Sequence, residues 1–314
     1  MLRYTADAPQ QAFSFLLSQM TYIEQQVWEM KYPEITYPTF VPVDPSAPEW
    51  IRTVTFMAKD GTGKAKFING SAQDIPIVGV AREKFESNVE MAGIGYDYTI
   101  EELEQARMMG INLTGDKASY ARRAYEELCE DIAYVGDATK GWTGLLNNAS
   151  VTATNVVNGA SASPLWSSKT SDEILTDVNT ALTGIWTTTG TTSIADTLLL
   201  PLAAYSLAVT KRVSSTSDRT VLSWIEENNI YTKITGQKLT IRANRFLATA
   251  GAGGTARFIA YRRSPEVVKM HIPMRLRFLA PQGPQIFRYV VPGMFRLGGV
   301  EVRLPKEIRY YDGI

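Results

Sequence analysis

Cysteine and histidine are almost absent from this chain of 314 residues, which contains one of each, Cys129 and His271. A lone cysteine rules out an intrachain disulfide and is typical of a protein made in a reducing cytoplasm, where we expect Cys129 to be a small core residue. One histidine and one cysteine are too few for a zinc site. A Ser-His-Asp or Cys-His catalytic arrangement would have to include His271, and the sequence has no GxSxG motif to accompany it.

Long hydrophobic runs are also missing. The longest, residues 198–209, contains Pro201 and is shorter than the roughly 20 residues that span a membrane. The N-terminal stretch MLRYTADAPQQAFSFLLSQM has a short apolar patch but no small-residue cleavage site after it. We therefore expect neither a transmembrane helix nor secretion.

The net charge is zero, but the charges are unevenly distributed. Residues 1–200 hold 14 Lys and Arg against 25 Asp and Glu, and residues 201–314 hold 18 against 7, so the two parts carry −11 and +11. Chance and solvated faces explain such an imbalance as well as a functional reason does. The functional alternatives are that unlike surfaces meet between copies of the chain, or that the basic part faces a polyanion.

The first 70 residues predict a helix, an extended arm and a hairpin. Apolar residues recur at helical spacing over 9–30, and five prolines between Pro33 and Pro48 then hold the chain extended. Two strand-like runs, 51–58 and 64–69, lie on either side of a glycine-bearing turn at 59–63. Because this hairpin has little apolar face, we expect it to project and to find its partner elsewhere.

A long helix is predicted over 99–135. Thr99 can cap its start with Glu102 reaching back, the pattern pauses at 110–115, and Gly136 is a suitable C-cap. The expected core stripe is Ala121, Ala124, Tyr125, Leu128, Ile132 and Val135. The charged residues expected mostly outside that stripe, on a solvated or internally paired face, are Arg122, Arg123, Glu126, Glu127, Glu130 and Asp131.

The stretch GDATKGWTGLLNN after this helix has the composition of a phosphate-binding loop but not its order. In a Walker loop the lysine follows the last glycine, and the loop connects a strand to a helix. Here Lys140 precedes Gly141 and the loop follows a helix. We interpret it as a glycine-rich exit into a second lobe.

The second lobe is predicted to begin with an irregular segment and a helix opened by Ser171-Asp172-Glu173. A buried strand over 196–200 leads through Pro201 into another helix, and VLSWIEENN forms a further short one. The chain from Arg257 onward is expected to be mostly strands. The residues expected to face inward from the first helix are Ile174, Val178, Leu182 and Ile185.

The order of these features resembles the major capsid proteins of tailed bacteriophages with the Hong Kong 97 fold, which encapsulin shells share. The likeness runs through VWEMKYPEITYPTFVPVD, KAKFINGSAQDIPIVGV, the helix-to-GLLNN segment, DTLLLPLAAYSLAV and the terminal PMRLRFLAPQGPQIFRYVVPGMFRLGGVEVRLPKEIRYYDGI. The helix-to-GLLNN segment is the strongest part. The resemblance implies an α+β fold and a structural subunit instead of an enzyme.

The resemblance also implies a division of the chain. Residues 1–50 would be the N-terminal arm, 51–80 the extended loop, 81–148 the peripheral domain with its spine helix over 99–135, 149–255 the axial domain, and 256–314 the strands that return to the peripheral domain. Candidate contacts between subunits are Trp28, Tyr32, Tyr37, Lys59, Asp60, Lys64, Lys66, Arg122, Glu126 and Glu130.

By the same resemblance, the protein would form hexamers and pentamers of an icosahedral head around double-stranded DNA, without a cofactor or metal. Portal, scaffolding and decoration proteins would be its partners, no membrane would be involved, and the subunit would be made in the host bacterial cytoplasm for the virion. Some relatives cross-link a loop lysine to an asparagine of a neighbour. Lys59, Lys64 and Lys66 lie in that region, but we expect no cross-link.

Two alternatives remain open. One is an encapsulin-type compartment shell, which shares the fold and encloses a cargo enzyme. The other is a carboxylate-dependent hydrolase that would use Glu126, Glu130 or Asp131, which together with Glu127 form the densest acidic cluster of the chain.

Overall fold

Residues 32–67, 77–109, 113–285 and 287–314 are described by the structure, a computed structural model. The chain divides into two compact units, Met1–Glu34 and Ile35–Ile314, and the elements below belong to the second. The helix predicted over 9–30 lies outside the described residues. The helices are α1 (Tyr37–Phe40), α2 (Ile100–Met109), α3 (Leu113–Tyr134), α4 (Ser171–Thr188), α5 (Leu202–Thr210), α6 (Val221–Asn228) and α7 (Ile230–Thr235).

The strands fall into several small sheets. In chain order they are β1 (Val43–Asp44), β2 (Thr53–Thr62), β3 (Gly79–Gly93), β4 (Tyr96–Thr99), β5 (Gly136–Asp137), β6 (Trp142–Thr143), β7 (Thr152–Asn155), β8 (Thr197–Pro201), β9 (Thr240–Asn244), β10 (Arg257–Tyr261), β11 (Val268–His271), β12 (Met274–Phe278), β13 (Gln282–Gln285), β14 (Arg288–Val291), β15 (Gly293–Gly298), β16 (Val300–Val302) and β17 (Ile308–Asp312). The sheet orders are β7-β17-β10-β8-β9, β12-β15-β3-β2, β1-β11-β16, β13-β14-β4 and β5-β6.

The five-stranded sheet separates two hydrophobic cores. Successive side chains of a strand point to opposite faces, so Phe258 and Ala260 of β10 join one core while Ile259 and Tyr261 join the other. Every residue of β8 is buried, as expected for a strand covered on both faces. The predicted buried strand over 196–200 is thus confirmed.

The helix α4 covers one face of this sheet. Its predicted inward residues, Ile174, Val178, Leu182 and Ile185, are all fully buried. Thr170 caps the helix, because its hydroxyl accepts from the Glu173 N–H while the Glu173 carboxylate accepts from the Thr170 N–H. This capping box fixes where the helix begins.

The long helix α3 packs in the other core with part of the predicted face, since Ala121, Tyr125 and Ile132 are buried as predicted. Tyr125, Cys129 and Ile132 are buried as neighbours on the helix surface, whereas Leu128 is 39% exposed and Val135 also lies in solvent. The predicted stripe was therefore wrong at Leu128 and Val135. The inward face also includes Glu130, whose carboxylate forms hydrogen bonds and an ion pair with other residues of this chain.

The hairpin is longer than predicted, and the predicted turn over 59–63 is wrong for residues 59–62. Residues 59–62 belong to β2, with Lys59 opposite Arg82 and Asp60 opposite Ala81, and the second strand begins at Gly79 instead of Lys64. The predicted second strand over 64–69 was therefore wrong for its described part, 64–67. Backbone pairing with β3 overrides the turn tendency of Gly61, which lies within β2 although glycine has no side chain to pack in a strand.

The glycine-rich exit from α3 is explained by close backbone packing. Gly136 has a φ of +80°, and a Cβ atom on Gly144 would lie 2.2 Å from the Tyr134 carbonyl oxygen. Asp137 accepts from the Thr139 N–H and caps the short turn that contains Lys140. These glycines let the chain reverse tightly against the end of α3.

Candidate functional site

The outer part of the β2–β3 hairpin, which we call the hairpin surface, presents apolar and basic side chains to solvent. Met57 is 70% exposed and Val80 is 54% exposed. The register places both on the face that also carries Lys59, Arg82 and Lys84. This combination of exposed apolar and cationic groups on a projecting ribbon is suited to contact with another surface.

The two candidate residues Lys59 and Asp60 point to opposite faces of the hairpin, because they are adjacent in β2. Lys64 and Lys66 follow β2 and are exposed. The structure therefore brings Lys59, but not Asp60, to the face of Met57.

Near the body the hairpin is held by aromatic contacts. The rings of Phe56 and Phe85 stack with centroids 4.9 Å apart, and the guanidinium of Arg303 lies 4.9 Å from the Phe56 centroid. Farther along β3, Val89 is buried. The hairpin is thus anchored at one end and exposed along the rest of its length.

The carboxylates of α3 bind the segment around α1. Glu130 is 1% exposed and accepts hydrogen bonds from the backbone N–H and the hydroxyl of Thr36, at 3.2 and 2.9 Å. Arg245 contacts its other oxygen at 3.2 Å, and Glu126 accepts from the Tyr37 hydroxyl at 2.8 Å. The expected solvated acidic face is therefore wrong for Glu130, since α1 and its preceding residue cover it.

This arrangement also locates three candidate contact residues inside the subunit. Tyr37 is buried, and burial above all raises the pKa of its phenol well above the ordinary value, with Cys129 and Glu126 adding to the shift. Its hydroxyl therefore acts as a neutral donor to Glu126. Sequence reasoning did not identify Thr36 as the partner of Glu130; the only available signal was that an extended, proline-rich arm leaves backbone donors unpaired.

The remaining candidates are dispersed. Tyr32 and Arg122 are exposed, Trp28 lies outside the described residues, and Arg123 pairs with Glu127 on the surface of α3 at 2.9 Å. That helical pair was predicted. Asp131, the third carboxylate considered for hydrolysis, is exposed on the same helix.

A second group of charges surrounds the single histidine. His271 ends β11, and its Nε2 lies 2.6 Å from Oε2 of Glu301 on β16. Asp44 of β1 lies on the other side of the ring and pairs with Lys269 at 2.5 Å, while Arg303 pairs with Glu301 at 3.2 Å. These groups come from β1, β11, β16 and the residue that follows β16, which is why the sequence did not reveal them.

Two further properties concern the described ranges only. They contain no group of three or more His, Cys, Asp or Glu side chains that could hold a metal ion. Within the same ranges, no helix has the length and apolar character needed to cross a membrane.

Comparison with known protein families gives a match over most of the chain. The family model described as "Major capsid protein" matches residues 63–314. The chain belongs to the major capsid protein family. The predicted resemblance to major capsid proteins is thereby confirmed. A comparison with curated protein sequences finds no match.

Solved structures show that the major capsid protein has a phage-capsid fold. The capsid of Myoviridae phage XM1 is similar with a TM-score of 0.78 and 18% identity, over 95% of this chain and 98% of that one. A chain of Microbacterium phage Oxtober96 gives 0.62 at 11% identity, with 98% and 99% covered. A virus-like particle from Pyrococcus furiosus gives 0.51 at 14% identity, with 88% and 91% covered. The predicted α+β capsid fold is confirmed.

Proposed function

We propose that this major capsid protein is the repeating subunit of an icosahedral phage head, assembled from hexamers and pentamers around double-stranded DNA. The family match over residues 63–314 carries the proposal. The exposed hairpin surface supports it, because a ribbon with so little buried area within its own chain gains stability only against another surface. We assign the protein no enzymatic role.

The division of the chain by resemblance is part of the proposal. Residues 1–50 form the arm, 51–80 the extended loop, 81–148 the peripheral domain, 149–255 the axial domain and 256–314 the return strands. The β2–β3 pairing over 53–62 and 79–93 favours extending the loop region past residue 80. Two cores on opposite faces of one sheet favour two lobes that share strands.

For contacts between subunits, we retain the exposed candidates Tyr32, Lys59, Asp60, Lys64, Lys66 and Arg122 and add Met57 and Val80. Tyr37, Glu126 and Glu130 instead position the arm within one subunit, through the bonds to Thr36 and between Tyr37 and Glu126. Trp28 stays a prediction, as does the absence of a lysine–asparagine cross-link.

The remaining partners follow from a shell function. Packaged DNA would meet loose, sequence-independent contacts that weaken with salt. Portal, scaffolding and decoration proteins would complete the head. The subunit would be made in the bacterial cytoplasm and end in the virion.

An encapsulin-type compartment is the second candidate, favoured by the similarity to the Pyrococcus furiosus virus-like particle. The contents of purified particles separate the two: nucleic acid supports a phage head, and an enclosed enzyme supports a compartment. A hydrolase built on Glu126 and Glu130 is not favoured, because both carboxylates accept hydrogen bonds from the α1 region.

Negative-stain electron microscopy with light scattering on the purified full chain tests the proposal. We expect closed shells, or hexamers and pentamers that close on concentration. Met57→Asp should prevent assembly while circular dichroism and thermal unfolding stay close to wild type, because the residue is exposed in the subunit. Met57→Leu, which keeps the apolar surface, is the matched control. A monodisperse monomer or dimer of the wild-type chain under all conditions would refute the proposal.

A further inference from the structure

His271 lies between two carboxylates that approach its ring from different strands. Its Nε2 is 2.6 Å from Glu301 Oε2, and its Nδ1 is 3.8 Å from Asp44 Oδ2. The residue is 1% exposed, and no group of the described residues forms a hydrogen bond with Nδ1. Among the described residues, Nε2 therefore has a hydrogen-bonding partner and Nδ1 has none.

The other groups around His271 set the charge balance. Lys269, on the same strand, contacts Asp44 at 2.5 Å, and Arg303 contacts the two Glu301 oxygens at 3.2 and 3.4 Å. From β15, Gly298 packs against the His271 Cβ, and Arg296 of the same strand donates to the Val89 carbonyl. With a neutral imidazole, the two carboxylates are balanced by Lys269 and Arg303. A proton on His271 adds a positive charge directly between the carboxylates.

The strand that Asp44 belongs to is held by few backbone bonds. β1 has two residues, paired in parallel with Met270 and His271 of β11. The Met270 N–H donates to the Pro42 carbonyl at 2.9 Å, and the Ile272 N–H donates to the Asp44 carbonyl at 3.2 Å. Side-chain contacts of Asp44 therefore add to the few backbone bonds that hold β1, while the residues just before it are held separately by Glu130, Glu126 and Tyr261.

We propose that a proton on His271 strengthens the docking of β1 on β11, so that β1 is docked more tightly at pH 5.5 than at pH 8. A protonated ring has an N–H at both nitrogens, so Nε2–H remains with Glu301 while Nδ1–H faces the Asp44 carboxylate. A neutral ring that donates to Glu301 presents a lone pair to Asp44 instead. The proposal concerns one subunit and is independent of the proposed shell function.

The direction of the effect follows from linkage. The docked state offers a proton on His271 an additional carboxylate that the undocked state removes, so docking gains stability as pH falls from 8 to 5.5. Asp44 and Glu301 stay ionised there. Burial opposes their charge, but Lys269 and Ser46 lower the pKa of Asp44, and His271 and Arg303 lower that of Glu301.

Hydrogen–deuterium exchange of the full chain at pH 5.5 and pH 8 tests whether the docking of β1 on β11 depends on pH in this way. Protection factors remove the intrinsic pH dependence of exchange, and the Met270 amide reports docking directly through its bond to Pro42. We expect its protection to be on the order of threefold to tenfold greater at pH 5.5, beyond any change at Ile259 in the central strand β10. Equal protection at both values, or greater protection at pH 8, overturns the proposal.

Substitutions test whether the pH dependence of Met270 protection arises from His271 and Asp44. His271→Gln retains an amide donor toward Glu301 but cannot take up a proton, so the pH difference at Met270 should disappear. Glu266→Gln, an exposed carboxylate lining the same cavity as Asp44 and Lys269, should leave it unchanged. If His271→Gln does not fold, Asp44→Asn should also abolish the difference. A pH difference that persists undiminished in either folded variant overturns the proposal, with light scattering used to compare equal assembly states.

Discussion

Arg257 of β10 and Asp312 of β17 lie opposite each other in the paired strands and form a buried ion pair with two hydrogen bonds. Nε lies 2.6 Å from Oδ1 and Nη2 lies 2.9 Å from Oδ2, while Nη1 donates to the Leu146 carbonyl at 2.5 Å. The pair thereby joins the shared sheet to the segment that leaves α3. Both side chains are almost fully buried, so neither charge has water as an alternative partner.

Asp312→Asn should destabilise the protein strongly, because it leaves the Arg257 charge buried without its counter-ion. We expect the free energy of unfolding to fall by about 3–5 kcal/mol, measured by urea denaturation in a fixed assembly state. Glu227→Gln is the control: it removes an exposed pair with Arg219 at 2.7 Å and should cost less than about 1 kcal/mol. Equal losses in the two variants would contradict the assigned role.

The same carboxylate should contribute to acid unfolding. Burial alone would raise the pKa of Asp312, but the hydrogen bonds from Arg257 and the Ala252 N–H lower it below the ordinary value. A depressed folded-state pKa gives stability that is present above the ordinary aspartate pKa and is lost as pH falls through the folded-state value. The difference in Tm between wild type and Asp312→Asn should therefore shrink from about pH 5 to about pH 3. A constant difference would contradict the ionised pair.

Gly144 should not tolerate a side chain. A Cβ atom there would lie 2.2 Å from the Tyr134 carbonyl oxygen and 2.3 Å from its carbon, and backbone at the end of α3 cannot yield without moving the core. We expect Gly144→Ala to cost at least about 3 kcal/mol in unfolding free energy, or to prevent folding. Gly61→Ala, where nothing lies within 4 Å of the added Cβ, is the matched control and should change stability by less than about 0.5 kcal/mol. A well-folded Gly144→Ala protein with wild-type stability would refute this account.

The elements predictable from sequence were those specified by local chemistry. The Thr99–Glu102 capping box is present, with bonds of 3.0 and 3.1 Å, and the apolar run of β8 was sufficient to predict a strand buried on both faces. In α3 the predicted solvated face was wrong for Glu130, because its carboxylate accepts a hydrogen bond from Thr36, 94 positions away. Neither the burial of that charge nor the exposure of Leu128 follows from helical periodicity alone.

The candidate site was less predictable than the fold for a related reason. The register of β2 on β3, which places Lys59 and Met57 on one face with Val80, Arg82 and Lys84, depends on residues 79–93, and the turn tendency of Gly61 in β2 concealed it. His271 was identified only as an isolated residue. Its partners Asp44 and Glu301 are brought to it by sheet pairing across more than two hundred positions and thirty positions of sequence, respectively, distances over which local patterns carry no information.

Cys129 should be chemically inert in the folded protein. The residue is fully buried in α3, and burial above all raises the pKa of its thiol to about 12, with the Glu126 charge adding to the shift. Since the thiolate is the reactive species, only about one molecule in ten thousand would carry it at pH 8. Labelling by a thiol reagent such as 5,5′-dithiobis(2-nitrobenzoate) should therefore be slow in the native state and rapid in urea.

A matched variant tests whether the slow labelling of Cys129 is due to its burial and not to a general property of the reagent. In a Cys129→Ala background, Leu128→Cys introduces a thiol at the adjacent position, whose native side chain is 39% exposed. Its labelling in the native state should be at least about a hundredfold faster than that of Cys129, because both access and the thiolate fraction favour it. Comparable native rates at the two positions would show that α3 presents Cys129 to solvent, and would contradict the orientation of the helix on which the roles of Glu130 and Thr36 depend.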